Sequence, residues 1–143
     1  MSERDSGDFL RQPEVTVPTL KDVVERAYLD ARIDEDGDLV VTVSGRRVVV
    51  TIKERSALVR MWMIFGLKTG ATDTELLNFL TELNSYQMVR FTVDEDRDTL
   101  YMDYYLGFAP ELSKRQFVQS LHRFVDFAET AMRNEDGDGK FLV

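Results

Sequence analysis

The sequence predicts an α+β fold with the element order αβββαββα: a twisted, mostly antiparallel sheet with helices packed on it. Three observations predict it. Two β-branched runs, Leu39 to Val43 and Arg47 to Ile52, meet at Ser44-Gly45 and read as a hairpin. A second pair, Met88 to Val93 and Leu100 to Leu106, flanks the charged turn Asp94 to Asp98. Helix-start residues followed by apolar stripes precede, separate and follow these pairs, at Thr19, Thr72 and Ser113.

Residues 1–18 are polar, with Pro13 and Pro18, and are expected to form a flexible N-terminal arm. A single domain is expected over residues 19–133. Thr19 is expected to cap the first helix, with Asp22 at the box position. Leu20, Val23, Val24, Ala27 and Tyr28 then form one apolar stripe, placing that helix at about Leu20 to Asp30. The acidic turn Asp34 to Asp38 follows, with Gly37 supplying positive φ. After the first hairpin, Ala57 to Phe65 is nearly continuous in apolar residues. It reads as a strand dry on both faces, with Gly66 and Gly70 just beyond.

Thr72 and Glu75 form a Thr-x-x-Glu box for the second helix, whose dry face is Leu76, Leu77, Phe79, Leu80 and Leu83 and whose end is Asn84-Ser85. Ser113 caps the third helix, with Gln116 at the box position and Leu112 and Phe117 spaced for a staple. Its stripe of Phe117, Val118, Leu121, Phe124, Val125, Ala128 and Met132 is long enough to cover the sheet and still offer surface to a neighbour. Residues 134–143 read as an acidic C-terminal tail. Its apolar tip, Phe141 to Val143, either folds back or is held by a partner.

Composition narrows the function. The 143 residues suit one hydrophobic core, and 43% hydrophobic with 31% charged residues describes a folded chain. A net charge of -8 without a basic block argues against nucleic acid and anionic membranes. The absence of cysteine removes disulfides, thiolate nucleophiles and cysteine metal sites. The start has no secretory pattern, and the longest apolar stretch, Met61 to Leu67, is far too short to span a bilayer. The cytoplasm is the expected location.

The stretches GDLVVTVSGRRVVVTI and TELLNFLTELNSYQMVRFTVDEDRDTLYMDYYL, and the Gly-x-x-Pro link from Gly107 to Pro110 before the last helix, resemble the YbjN family. Its members are described as bacterial sensory transduction regulators. Asn78 and Asn84 sit where relatives carry NxxN-like helix ends, and the resemblance covers roughly Leu20 to Arg133. It implies a type III secretion chaperone-like fold, frequent dimers, and a regulatory or chaperone-like role. It brings no catalytic motif.

No catalytic, cofactor-binding or metal-ligating set is expected from the residues. His122, the only histidine, has Asp126 four places on but no visible relay. Asn134-x-Asp136-x-Asp138-Gly139 follows the opening of a calcium loop, yet the sequence ends before the bidentate Glu position. Trp62 with Tyr101, Tyr104 and Tyr105 reads better as packing than as a base-stacking platform in so acidic a chain. The leading expectation is a non-enzymatic protein-interaction module acting as a homodimer, with a client or regulatory protein as partner. The alternative is a small-molecule-sensing regulatory domain, its pocket lined by tyrosines and closed by Arg60 or Arg90. The residues expected at packing or contact positions are Trp62, Ile64, Tyr101, Tyr105, Phe117, Leu121 and Phe124.

Overall fold

The computed structural model describes residues 7–86 and 88–143, so the first six residues of the expected arm lie outside the described residues. The strands are β1 (Phe9–Arg11), β2 (Asp30–Ile33), β3 (Leu39–Val43), β4 (Arg46–Lys53), β5 (Leu58–Gly66), β6 (Arg90–Val93), β7 (Thr99–Gly107) and β8 (Glu111–Ser113). The helices are α1 (Val17–Arg26), α2 (Asp73–Leu83) and α3 (Lys114–Glu135). A six-stranded sheet runs in the order β2-β3-β4-β5-β7-β6, and β1 with β8 forms a separate ribbon. This is the α+β class expected, with one more strand in the first meander and a short ribbon added.

The chain divides into two compact units: the described residues up to Met61 with Tyr105–Val125, and Trp62–Tyr104 with Asp126–Val143. In the first, Leu10 of β1 lies opposite Leu112 of β8, and both are buried. Helix α1 starts earlier than expected. Its cap is Thr16, whose hydroxyl accepts the Thr19 N–H at 3.3 Å. Pro18 therefore falls within the first turn, where a missing N–H costs nothing. The helix also stops earlier, at Arg26. The Leu29 N–H turns back to the Val24 carbonyl at 3.0 Å, and Tyr28 takes φ 65°. A glycine usually marks that left-handed position, so the stop carried no signal in the sequence.

Asp30–Ile33, just beyond this stop, form β2, which the sequence reading missed. It pairs antiparallel with β3, Ala31 opposite Val41 and Ile33 opposite Leu39. The β3–β4 hairpin turns at Ser44 and Gly45, both with positive φ, as a two-residue turn requires. Leu39, Val41, Val43, Val48 and Val50 are fully buried on the inner side of this hairpin. Leu20 and Val24 of α1, which packs on β2 and β3, are fully buried too.

In the second unit the expected box at Thr72 closes in both directions. The Thr72 hydroxyl accepts the Glu75 N–H at 3.1 Å, and the Glu75 carboxylate accepts the Thr72 N–H at 3.0 Å. Phe79 and Leu83 are the residues of α2 that go inside, whereas Leu77, expected on the dry face, is 64% exposed. Asn84 caps α2 and bonds across to β6. Its amide donates to the Phe91 carbonyl at 3.0 Å, and its side-chain oxygen accepts the Phe91 N–H at 2.8 Å. Met88 takes φ 75°, and the strand accordingly begins at Arg90 rather than at Met88.

Candidate protein-interaction surface

Alternation along β5 and β7 sorts their side chains. Val59, Met61, Met63, Leu100 and Met102 are buried, while Trp62 and Tyr101 are half-buried and Ile64 is 59% exposed. The Trp62 and Tyr101 rings stand 6.4 Å apart between centroids, tilted by 42°. Tilted pairs at such distances attract through ring edge and face. On the same side of β7, Asp103 is only 2% exposed. Its cross-strand partner Arg90 grips it with two bonds, Nε to Oδ1 at 3.2 Å and Nη2 to Oδ2 at 3.0 Å. A charge this deep requires such pairing. The result is a firm patch: a tilted aromatic pair, an exposed isoleucine and a pinned arginine whose side chain is 61% open to solvent.

The structure distributes the seven expected residues unevenly. Trp62, Ile64 and Tyr101 come together in the second unit. Tyr105, described with the first unit, is half-buried two places beyond Asp103 on β7. Phe117, Leu121 and Phe124 are 0%, 0% and 2% exposed, so they are packed inside by their own chain. Their spacing along α3 is that of a core-facing stripe. The exposed Tyr28 and Leu77 lacked a signal, since each sits at an apolar position of a stripe whose other members are buried or half-buried.

The carboxylate-rich segments serve the backbone. Asp34 Oδ1 accepts the N–H groups of Asp36 and Asp38 at 3.0 and 2.9 Å, and Asp94 Oδ1 accepts those of Asp98 and Thr99 at 3.0 and 3.2 Å. Asp136, in the segment that follows a calcium loop's opening, has both oxygens committed. They accept the Phe141 and Leu142 N–H groups at 2.9 and 3.1 Å. Asp94, Asp96 and Asp98 bring one oxygen each within 4.8 Å of one another and are the residues that could share a cation. A hydrogen bond between Asp94 and Asp98 holds the first carboxyl below the usual range and pushes the second above it. His122 and Asp126 are exposed on α3. Among the described residues no helix is long and apolar enough to cross a membrane.

A small α+β sheet protein with one aromatic, partly open face is thus the class these features define. The chain matches the model of the family YbjN, described as "Putative bacterial sensory transduction regulator", over residues 16–133, and it belongs to that family. No protein with a curated description matches it. Among solved structures it is similar to YbjN, "a putative transcription regulator from E. coli". The identity is 12%, 89% of this chain and 94% of that one are covered, and the TM-score is 0.73. It is also similar to the type III secretion chaperone SycH of Yersinia pestis, solved in complex with a stable fragment of YscM2. There the identity is 21%, the coverage 80% and 98%, and the TM-score 0.56. The expected family and the type III secretion chaperone-like fold are both found.

Proposed function

We propose that this chain is a non-enzymatic protein-interaction module with a regulatory or chaperone-like role, acting in the cytoplasm as a homodimer that also engages a client or regulatory protein. One observation carries the reading. Ile64 stands 59% exposed beside the Trp62–Tyr101 pair, on a patch where Arg90 pairs with the buried Asp103. Exposed apolar area next to an aromatic anchor and a fixed arginine is the composition of a contact hot spot. A two-fold arrangement covers such a patch with a copy of itself. The neighbouring chaperone SycH, held with a fragment of YscM2, supports a protein client for this fold.

Multi-angle light scattering tests it. Wild-type protein at micromolar concentration is expected to run as a dimer, and Ile64→Asp as a folded monomer. A wild-type monomer removes the homodimer. A variant that remains dimeric moves the interface elsewhere.

A further inference from the structure

The last eight residues lie along α2 and the end of β5. Phe141 stacks on Phe79, with centroids 4.2 Å apart and planes within 6°. The Lys68 N–H donates to the Phe141 carbonyl at 2.7 Å and the Val143 N–H to the Gly66 carbonyl at 3.0 Å, with Leu142 bridged antiparallel to Leu67. Lys140 pairs with Glu75, and Lys68 Nζ donates to the Gly139 carbonyl at 2.5 Å. The tail does not fill its seat. A groove of about 280 Å³ remains, lined by Phe79, Phe141, Glu75, Glu82, Glu135 and Lys140. Glu135 accepts a bond from the Tyr86 hydroxyl at 3.2 Å.

We propose that the seat now held by Lys140 and Phe141, beside this groove, is a docking site for a partner protein's basic-aromatic segment, and that Lys140-Phe141 is a resident copy of that ligand. The argument is complementarity. Three carboxylates line the groove with two aromatic rings, and the chain itself shows how the pairing works: an ammonium on Glu75 while the adjoining ring lies flat on Phe79. Strand addition at Gly66 to Lys68 supplies backbone bonds that any extended segment can repeat. The incoming segment displaces the tail, so the tail sets the threshold for entry. The site uses none of the residues of the Trp62 patch, and it stands or falls apart from the homodimer.

The test is fluorescence anisotropy on the full chain with a labelled, end-capped peptide Asp-Gly-Lys-Phe-Leu-Val. Loosening the resident copy by Lys140→Glu or Phe141→Ala is expected to tighten peptide binding about tenfold over wild type, because affinity scales with the fraction of open seats. Adding Glu82→Lys, or using a peptide with Glu in place of Lys, is expected to abolish the gain. Circular dichroism checks folding. If Phe141→Ala unfolds, Lys140→Glu decides alone, since that side chain is 50% exposed. Folded variants that bind the peptide no better than wild type, or that bind the charge-reversed peptide equally, overturn the proposal and leave the tail as a cap on the core.

Discussion

The hairpins at the two edges of the sheet, β2–β3 and β6–β7, close on nearly the same five residues: Asp34-Glu35-Asp36-Gly37-Asp38 and Asp94-Glu95-Asp96-Arg97-Asp98. Their bonds correspond in part, for the first aspartate's N–H donates to the Asp38 carbonyl in one turn and, one residue later, to the Thr99 carbonyl in the other. The first aspartate's Oδ1 gathers two amides in each turn, and its carbonyl accepts the N–H of the fourth residue at 3.1 Å in both. They differ at that fourth residue. Gly37 takes φ 84° at little cost, whereas Arg97 takes φ 59° and is tied to Asp73 at the start of α2. They differ also in the edge strand. Three of the four β2 residues are exposed, while β6 sends Phe91 into the core and Arg90 to Asp103. One turn chemistry thus closes a bland polar edge and an edge anchored on both sides. The strand distinguishes them more than the acidic loop does.

The sharpest way to break the comparison is to truncate equivalent strands. Phe91→Ala is expected to cost about 3–4 kcal/mol, because the residue is 2% exposed. Ile33→Ala is expected to cost under about 1 kcal/mol, because it is 44% exposed. Urea unfolding of both variants reads the gap, and equal losses would erase the distinction. Next comes the outer face. Arg90→Ala leaves the buried Asp103 without its bidentate partner and is expected to cost about 1–2 kcal/mol, discounted for the solvent around the arginine. A double cycle with Asp103→Ala isolates the pair.

The turns come third. Gly37→Ala is expected to lose about 1 kcal/mol at its positive φ. Arg97→Gly relieves the backbone but cuts the tie to Asp73, so the two exchanges do not mirror each other in melting temperature. Smallest are the titrations. Carboxyl-resolved NMR is expected to place Asp98 above the ordinary range because of its bond to Asp94. It should place Asp38 above that range because of burial. Asp94→Asn should bring Asp98 back and leave Asp38 unmoved. Beside the second turn, Glu75 is held down at about 2, first by Lys140 and then by the Thr72 cap. Since its folded value lies below the unfolded one, its support is complete above the usual carboxylate range and fades as pH falls toward about 2. Amide protection in the first turn of α2, taken relative to intrinsic exchange at each pH, should fall over that window.

Much of this architecture was legible where periodicity and caps agree. The valine alternation of β3 and β4, the Thr72-Glu75 box and the Ser113 cap, whose hydroxyl accepts the Gln116 N–H at 3.1 Å, all follow from local chemistry. The failures have physical causes. β1 and β8 are three residues long and owe their existence to pairing with each other across about a hundred residues, which no local pattern encodes, whereas β2 has a near partner in β3 but is four residues long and mostly exposed, so it carries little apolar alternation. The early end of α1 rests on a tyrosine in a glycine's conformation. At the candidate surface, the sequence reading grouped Trp62, Ile64 and Tyr101 with the stripe of α3 as packing or contact residues. Separating them from Phe117, Leu121 and Phe124 required knowing which stripe the chain fills itself.

The single tryptophan of the sequence is one of the paired rings of the exposed patch. Its indole is therefore a built-in optical probe at the place where a visitor is expected to land. Covering the patch would dry that ring and shift its emission toward the blue, whereas occupation of the seat beside the acid-lined groove would change emission less. Unlabelled protein can thus report, by colour alone, which of its two surfaces has been taken.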